Sequence, residues 1–270
     1  MFKKINLTHT HFDRIIEAKN ISVSERHLQQ YIQLCELSES ENLPITYPHL
    51  LTFNALMTLI TDKNFPVPVI GLVHTRNRIA QSRPIPATSQ VTVCCFLEQV
   101  NKVKKGLECR IVTKVIVADE IYWQSRSDYL YRCDIPSDEI NGESQKLPQN
   151  DQLGWAKETW AIANNIGRRF ASISGDYNPI HLSTFSAKLF GFKRAIAHGM
   201  WTKAVALGQL NIASDDIKSV TVEFKQPIYL PAKVNTLSAD LAQGKWFKVE
   251  ACDGEILHLV GEVSLNSARS

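Results

Sequence analysis

Several familiar features are missing from this chain of 270 residues, and each absence narrows its class. It has no run of about 20 apolar residues, which a membrane-spanning helix needs, so no membrane partner is expected. The first residues, MFKKINLTHTHF, carry lysines but no apolar segment of about 7–15 residues behind them, so they do not read as a secretory signal. There is no Cys-x-x-Cys pair: Cys94 and Cys95 are neighbours, while Cys35, Cys109, Cys133 and Cys252 are scattered. Without ligand spacing beside a histidine pair they read as reduced thiols of a cytoplasmic protein, and no metal or other cofactor is expected. Net charge is only +3, and no basic run is interleaved with aromatics, so no nucleic-acid partner is expected.

What remains is an ordinary globular composition, 44% apolar and 21% charged, long enough for one large domain or two of about 130 residues. Roughly residues 10–40 predict a helix, with Leu28, Ile32 and Cys35 on one face and Ser24 as its N-cap. Tyr47-Pro48-His49 leads into LLTFNALMTLI, whose apolar density predicts a buried helix. After Asp62-Lys63-Asn64 the segments VPVIGLVHTRNRI, SQVTVCCFLEQV, GLECRIVTKVIV and EIYWQSRSDYLYR are rich in Val, Ile, Thr, Tyr and Trp, with turns at 101–106 and 118–120. Strands in succession with no helix between them predict an antiparallel sheet.

Residues 134–153 are polar, hold two prolines and one glycine, and read as a linker. Beyond them the same order of elements recurs: a helical piece (AIANNIGRRFASIS), a buried helix (HGMWTKAVALGQLN) and four more strand-like segments. Pro48-His49 before the first buried helix echoes Ala197-His198 before the second, and Ile85-Pro86-Ala87 echoes Leu230-Pro231-Ala232. The chain thus reads as an α+β duplication, residues 1–133 and 154–270, each half a long central helix wrapped by an antiparallel sheet. Nothing in the first half matches Gly-Asp-x-Asn-Pro-x-His, so one site per chain is expected.

That motif, Gly175-Asp176-Tyr177-Asn178-Pro179-Ile180-His181, concentrates the chemistry. Asn178 is a favoured N-cap and Pro179 suits a first helical position, so a helix is predicted to start there. His181 then falls in its first turn and Asp176 in the turn before it, where one cap geometry can aim both side chains into one opening. The plainer alternative is a turn aspartate and a surface histidine. Further on, Ala197-His198-Gly199-Met200 opens the second buried helix. A glycine there lets a ligand approach free backbone N–H groups at the positive end of the helix, unless it serves only close packing of helix on sheet.

The segment RFASISGDYNPIHLSTFSAKLFGFKRAIAHGMWTKA resembles the signature of the MaoC-like dehydratases, the (R)-specific enoyl-CoA hydratases of the hotdog fold. The match runs through Ser174 to Asp176 and Asn178 to His181, then Gly191-Phe192 and Ile196 to Met200. Phe170 stands where a tyrosine is frequent, a difference expected to touch packing only. The resemblance implies a double hotdog with a degenerate N-terminal unit, and a lyase of fatty acid metabolism that reversibly hydrates trans-2-enoyl-CoA to (R)-3-hydroxyacyl-CoA. It implies an Asp176 and His181 dyad, with the Gly199 N–H on the thioester oxygen. His181 is assigned to activating water for attack at C3 and Asp176 to protonating C2. Asn178 is read as the cap that fixes the dyad. His198, Lys193 and Arg194 are further substrate-binding candidates, and Arg168 and Arg169 join the cations available for carrier phosphates.

The alternatives are a dehydratase of (R)-3-hydroxyacyl groups on acyl carrier protein (ACP), an acyl-thioester binding protein without catalysis, and a thioesterase. The expected partner is thus an acyl-CoA or acyl-ACP thioester substrate. The degenerate half is expected to house the acyl tail, with Ala55 on its buried helix limiting chain length. A monomer with an internal hotdog pair and a homodimer both fit such a chain.

Overall fold

A computed structural model describes residues 12–144, 146–147 and 154–266. Ten strands form a single sheet: β1 (Ile15–Ser22), β2 (Leu72–Gln81), β3 (Gln90–Val103), β4 (Gly106–Val117), β5 (Glu120–Arg132), β6 (Ala156–Ile162), β7 (Ile217–Phe224), β8 (Ala232–Leu241), β9 (Gly244–Ala251) and β10 (Leu257–Leu265). Their spatial order is β1-β3-β4-β5-β2-β7-β10-β9-β8-β6, and every pairing is antiparallel. The order β1-β3-β4-β5-β2 in the first part of the chain is repeated by β6-β8-β9-β10-β7 in the second. The two sets join where β2 pairs with β7, Asn77 opposite Val222.

The long hairpins follow from alternation along β-branched segments, and their turns are local. Ala118 and Asp119 both have positive φ, 47° and 64°, between Val117 and its partner Glu120. Two left-handed residues match the twist of the flanking strands, which is what a two-residue hairpin loop requires.

The helices are α1 (Glu25–Cys35), α2 (Pro48–Ile60), α3 (Ile166–Ser174), α4 (Pro179–Leu182), α5 (Thr184–Leu189) and α6 (Gly199–Gly208). Ser24 caps α1 as expected, accepting the His27 N–H. α2 begins at Pro48, packs on β1, β3 and β4, and buries Thr52, Ala55, Leu56 and Leu59. α6 is buried from Met200 to Leu207. One apolar core runs through both parts of the chain, from Leu59, Ile79 and Trp123 to Ala204, Val220 and Phe247.

At the β2–β7 junction the core is polar. Lys203 of α6 is fully buried, donates to Asn77 Oδ1 at 2.6 Å and lies 3.4 Å from the Val220 carbonyl; Asn77 Nδ2 in turn donates to Ser125 and Ser127. Burial holds the Lys203 amine well below the usual lysine range, because a dehydrated ammonium is unfavourable. Nearby, burial and the Lys203 charge push His49 down to about 4.

Two expectations need correction. The segment near the N-terminus is not one helix: Ile15–Ser22 is strand and only Glu25–Cys35 is helical. The piece read as helix after the linker is likewise preceded by β6 and helical only from Ile166. Both missed strands are sheet edges with mostly exposed side chains, so they show little apolar alternation and owe their form to the ladder their neighbour offers. Of the expected linker, residues 145 and 148–153 lie outside the described residues. Leu147 is buried against Trp246 and Val260, so that end of the linker is docked on the second set of strands. Among the described residues no helix is long and apolar enough to cross a membrane.

Candidate active site

α3 stops at Gly175, whose φ of 77° lies in the left-handed region that glycine enters without strain. The chain then turns tightly: the Asp176 N–H meets the Ser174 hydroxyl at 3.2 Å, and the Asn178 N–H donates to Asp176 Oδ1 at 3.2 Å. Asn178 Oδ1 accepts from the Ile180 N–H, Pro179 takes the first helical position, and α4 carries His181 into the interior. The predicted cap is therefore present, with Asp176 partly exposed and His181 only 8% exposed.

His181 Nδ1 lies 2.8 Å from the Ile196 carbonyl. A carbonyl can only accept, so Nδ1 carries the proton and Nε2 keeps its lone pair. Burial lowers the His181 pKa, opposed by the Asp176 charge and the Ile196 carbonyl, so the ring is neutral at pH 7.

His198 stacks on this ring, with centroids 3.6 Å apart and planes inclined by 25°. Its Nε2 donates to the Asp176 carbonyl at 3.0 Å and lies 3.9 Å from Oδ2 of the same residue. Burial first, then the neighbouring His181, depresses its pKa well below the usual range. Phe170 packs on His198 at 4.9 Å, so its ring serves packing here. His198, a substrate-binding candidate, is 3% exposed and donates to the Asp176 backbone.

One ligand atom each from Asp176, His181 and His198 lies within 4.8 Å of the others, a spacing that could hold a metal. His198 Nε2, the nitrogen that faces the Asp176 carboxyl, already donates its proton to a carbonyl and has no lone pair to offer a metal. The trio therefore fits proton transfer better than ligation.

Gly199 is the first residue of α6, where backbone N–H groups lack intrahelical acceptors. A Cβ there would lie 2.8 Å from the Phe224 ring, so close packing on the sheet also demands glycine.

Residues the sequence reading passed over complete the site. A Cβ on Gly175 would touch Phe53 of α2, so the first part of the chain lies against the Asp176 turn; burial first, and less so the Asp176 charge, raise the pKa of Tyr129 on β5. Gly167 of α3 packs face to face on the His181 peptide. His27 bridges the Tyr47 hydroxyl and the Ile173 carbonyl at 2.8 and 2.7 Å, tying α3 to the first half. Gly167 lies in α3, the helix that leads into the motif, two residues before the quoted segment begins. Lys193, Arg194, Arg168 and Arg169 are all exposed. Arg194 lies over Tyr229 and lines a surface cleft of about 660 Å³ with Lys225, Lys233 and His258.

The MaoC like domain profile matches residues 155–259, which contain both blocks of the site. The 3-hydroxyacyl-thioester dehydratase X of Mycobacterium tuberculosis is 32% identical over 235 residues, 87% of this chain and 82% of that protein. The chain belongs to the MaoC-like dehydratase family.

Membership makes it a lyase of the dehydratase and hydratase type. Among solved structures of this MaoC-like group, HtdX of M. tuberculosis superposes with a TM-score of 0.80 at 29% identity, covering 94% of this chain and 100% of that one. A MaoC-like dehydratase of Phytophthora capsici has the same fold, with a TM-score of 0.77 at 18% identity over 94% and 95% of the two chains.

Proposed function

We propose that this MaoC-like protein adds water reversibly to trans-2-enoyl thioesters, giving (R)-3-hydroxyacyl thioesters, at a single site built on Asp176 and His181. The observation that carries the reading is that the Ile196 carbonyl leaves His181 Nε2 with its lone pair, in a ring with a nitrogen within 4.8 Å of an Asp176 carboxylate oxygen. The name of the mycobacterial relative, a 3-hydroxyacyl-thioester dehydratase, supports the substrate class.

The steps follow from the groups present. Water held between the dyad members gives a proton to His181 Nε2 as its oxygen attacks C3. Charge moves to the thioester oxygen, where the N–H at Gly199 meets it; the imidazolium passes its proton to the Asp176 carboxylate, which delivers it to C2 and closes the cycle. An oxyanion donor of this kind is worth roughly 3–4 kcal/mol of barrier. His198 acts through others, holding the Asp176 backbone and one face of His181. Lys193 and Arg194 face outward where carrier phosphates would pass. The repeated strand order supports two hotdog units in one chain, residues 1–133 and 154–270, of which the first gives space to the acyl group.

The test is incubation of the purified protein with short and medium trans-2-enoyl-CoA, followed by identification of the product and its stereochemistry. Asp176→Asn and His181→Ala should each lower hydration by at least about a hundredfold while the fold is kept. Near-wild-type turnover in either variant, or release of free thiol in place of a hydrated thioester, would sink the assignment.

A further inference from the structure

The surface around the dyad differs from the rest of the molecule. Between Thr159 and Ser214 the chain holds six lysines and arginines and a single acidic residue, Asp176. Lys203 is buried; Arg168, Arg169, Lys188, Lys193 and Arg194 are exposed, and among the described residues none of the five forms an ion pair. Elsewhere acidic residues are interspersed among the cations and several pairs form, as between Arg110 and Asp128 and between Lys248 and Glu250.

The same stretch leaves large apolar side chains in solvent: Phe185 is 77% exposed, Leu189 72%, Tyr177 59% and Phe190 42%. Single exposed apolar residues are common, but four within residues 177–190, beside a catalytic opening, form a patch that calls for a partner. Phe185 and Leu189 are four apart on α5 and so lie on one side of it. The Ser186 hydroxyl donates to the Pro179 carbonyl at 2.7 Å, which ties α5 to the start of the helix bearing His181.

We infer that this face docks an acidic acyl carrier protein, which delivers the enoyl group on its phosphopantetheine arm. The inference rests on the dyad reading and adds the carrier. Free coenzyme A offers phosphates to the cations but nothing to Phe185 and Leu189. A small acidic protein offers carboxylates to the unpaired cations and an apolar contact to the patch, and unpaired charge of one sign also speeds encounter with it.

The experiment compares one trans-2-enoyl group on CoA and on a purified, freestanding acidic acyl carrier protein. Wild-type kcat/KM should be at least about tenfold higher on the carrier protein at low salt, and that advantage should shrink at about 0.5 M salt. Phe185→Ser combined with Leu189→Ser should remove the advantage and leave turnover of the CoA thioester unchanged. Binding of the unacylated holo-carrier, followed by fluorescence polarisation, needs no turnover. A wild type that binds the carrier but converts neither thioester refutes the dyad reading and supports the docking face. Equal kcat/KM on both carriers, an advantage that survives the double substitution, or carrier binding unchanged by it overturns the proposal. So does a wild-type dimer that the substitution dissolves, or binding of the patch to anionic phospholipid vesicles and not to the carrier.

Discussion

Replacing Gly167 by alanine sets two effects of known size against each other at a residue that touches no substrate. In an exposed helix interior Gly→Ala stabilises by about 1 kcal/mol, because alanine loses less backbone freedom on folding. Gly167, however, is buried, and a Cβ there would lie 2.9 Å from the His181 carbonyl carbon, with the carbonyl oxygen nearer still. Carbon atoms pack at about 3.5–4.0 Å, so relief requires α3 and the His181 peptide to part by about 1 Å. The obstacle is backbone, which cannot swing aside as a side-chain tip would. Overpacking of this kind costs about 1–3 kcal/mol, so the clash outweighs the gain in propensity and a net loss of up to about 2 kcal/mol is expected. The larger effect falls on catalysis. The same shift moves His181 Nε2 relative to Asp176, and a misplacement of about 1 Å costs on the order of a hundredfold in rate. Thermal melting and steady-state hydration of one enoyl thioester measure both. A Gly167→Ala protein that melts at or above the wild type with undiminished kcat would refute this account of how α3 sets the dyad.

Because burial lowers the His181 pKa, its neutral form persists below pH 6.5, and the acid limb of kcat/KM should lie below that value; a limb at or above it would contradict the role of His181 as base. His49 has a folded pKa of about 4 against about 6.5 unfolded, so its contribution is fully present above 6.5 and is lost as pH falls towards 4. The loss is worth about 3 kcal/mol by pH 4, and His49→Gln should flatten the decline in stability between these pH values by about that amount; identical slopes in urea titrations would show that the buried imidazole is not its source. Asn178→Ala removes a helix cap and should destabilise by about 1 kcal/mol, with activity falling because α4 frays; lost activity at an unchanged melting temperature would show that Asn178 touches the reaction instead.

The legible parts of this molecule were those whose cause is local. The cap at Asn178-Pro179, the N-cap at Ser24, the proline that opens α2 and the alternation of β3 to β5 all depend on residues within a few positions of one another. The edge strands β1 and β6 were missed because their form comes from hydrogen bonds to β3 and β8, distant in sequence, and not from their own pattern. The same contrast holds at the site. The motif supplied Asp176 and His181, but the stacking of His198 on His181, the contact of Gly167 with the His181 peptide and the approach of Phe53 and Tyr129 join segments with no shared period.

By itself, then, the sequence determined the antiparallel α+β class, the recurrence of element order and the capped helix that carries His181 just after Asp176, since capping, periodicity and residue chemistry are short-range properties. Only the tertiary structure decided which nitrogen of His181 is free, that His198 is committed to the Asp176 backbone and that Phe53 of the first half lies against Gly175. It also decided that the unpaired cations and Phe185 and Leu189 stay in solvent. These depend on burial and on contacts between separate segments, His181 with Ile196, His198 with Asp176 and Phe53 with Gly175, which no local pattern encodes.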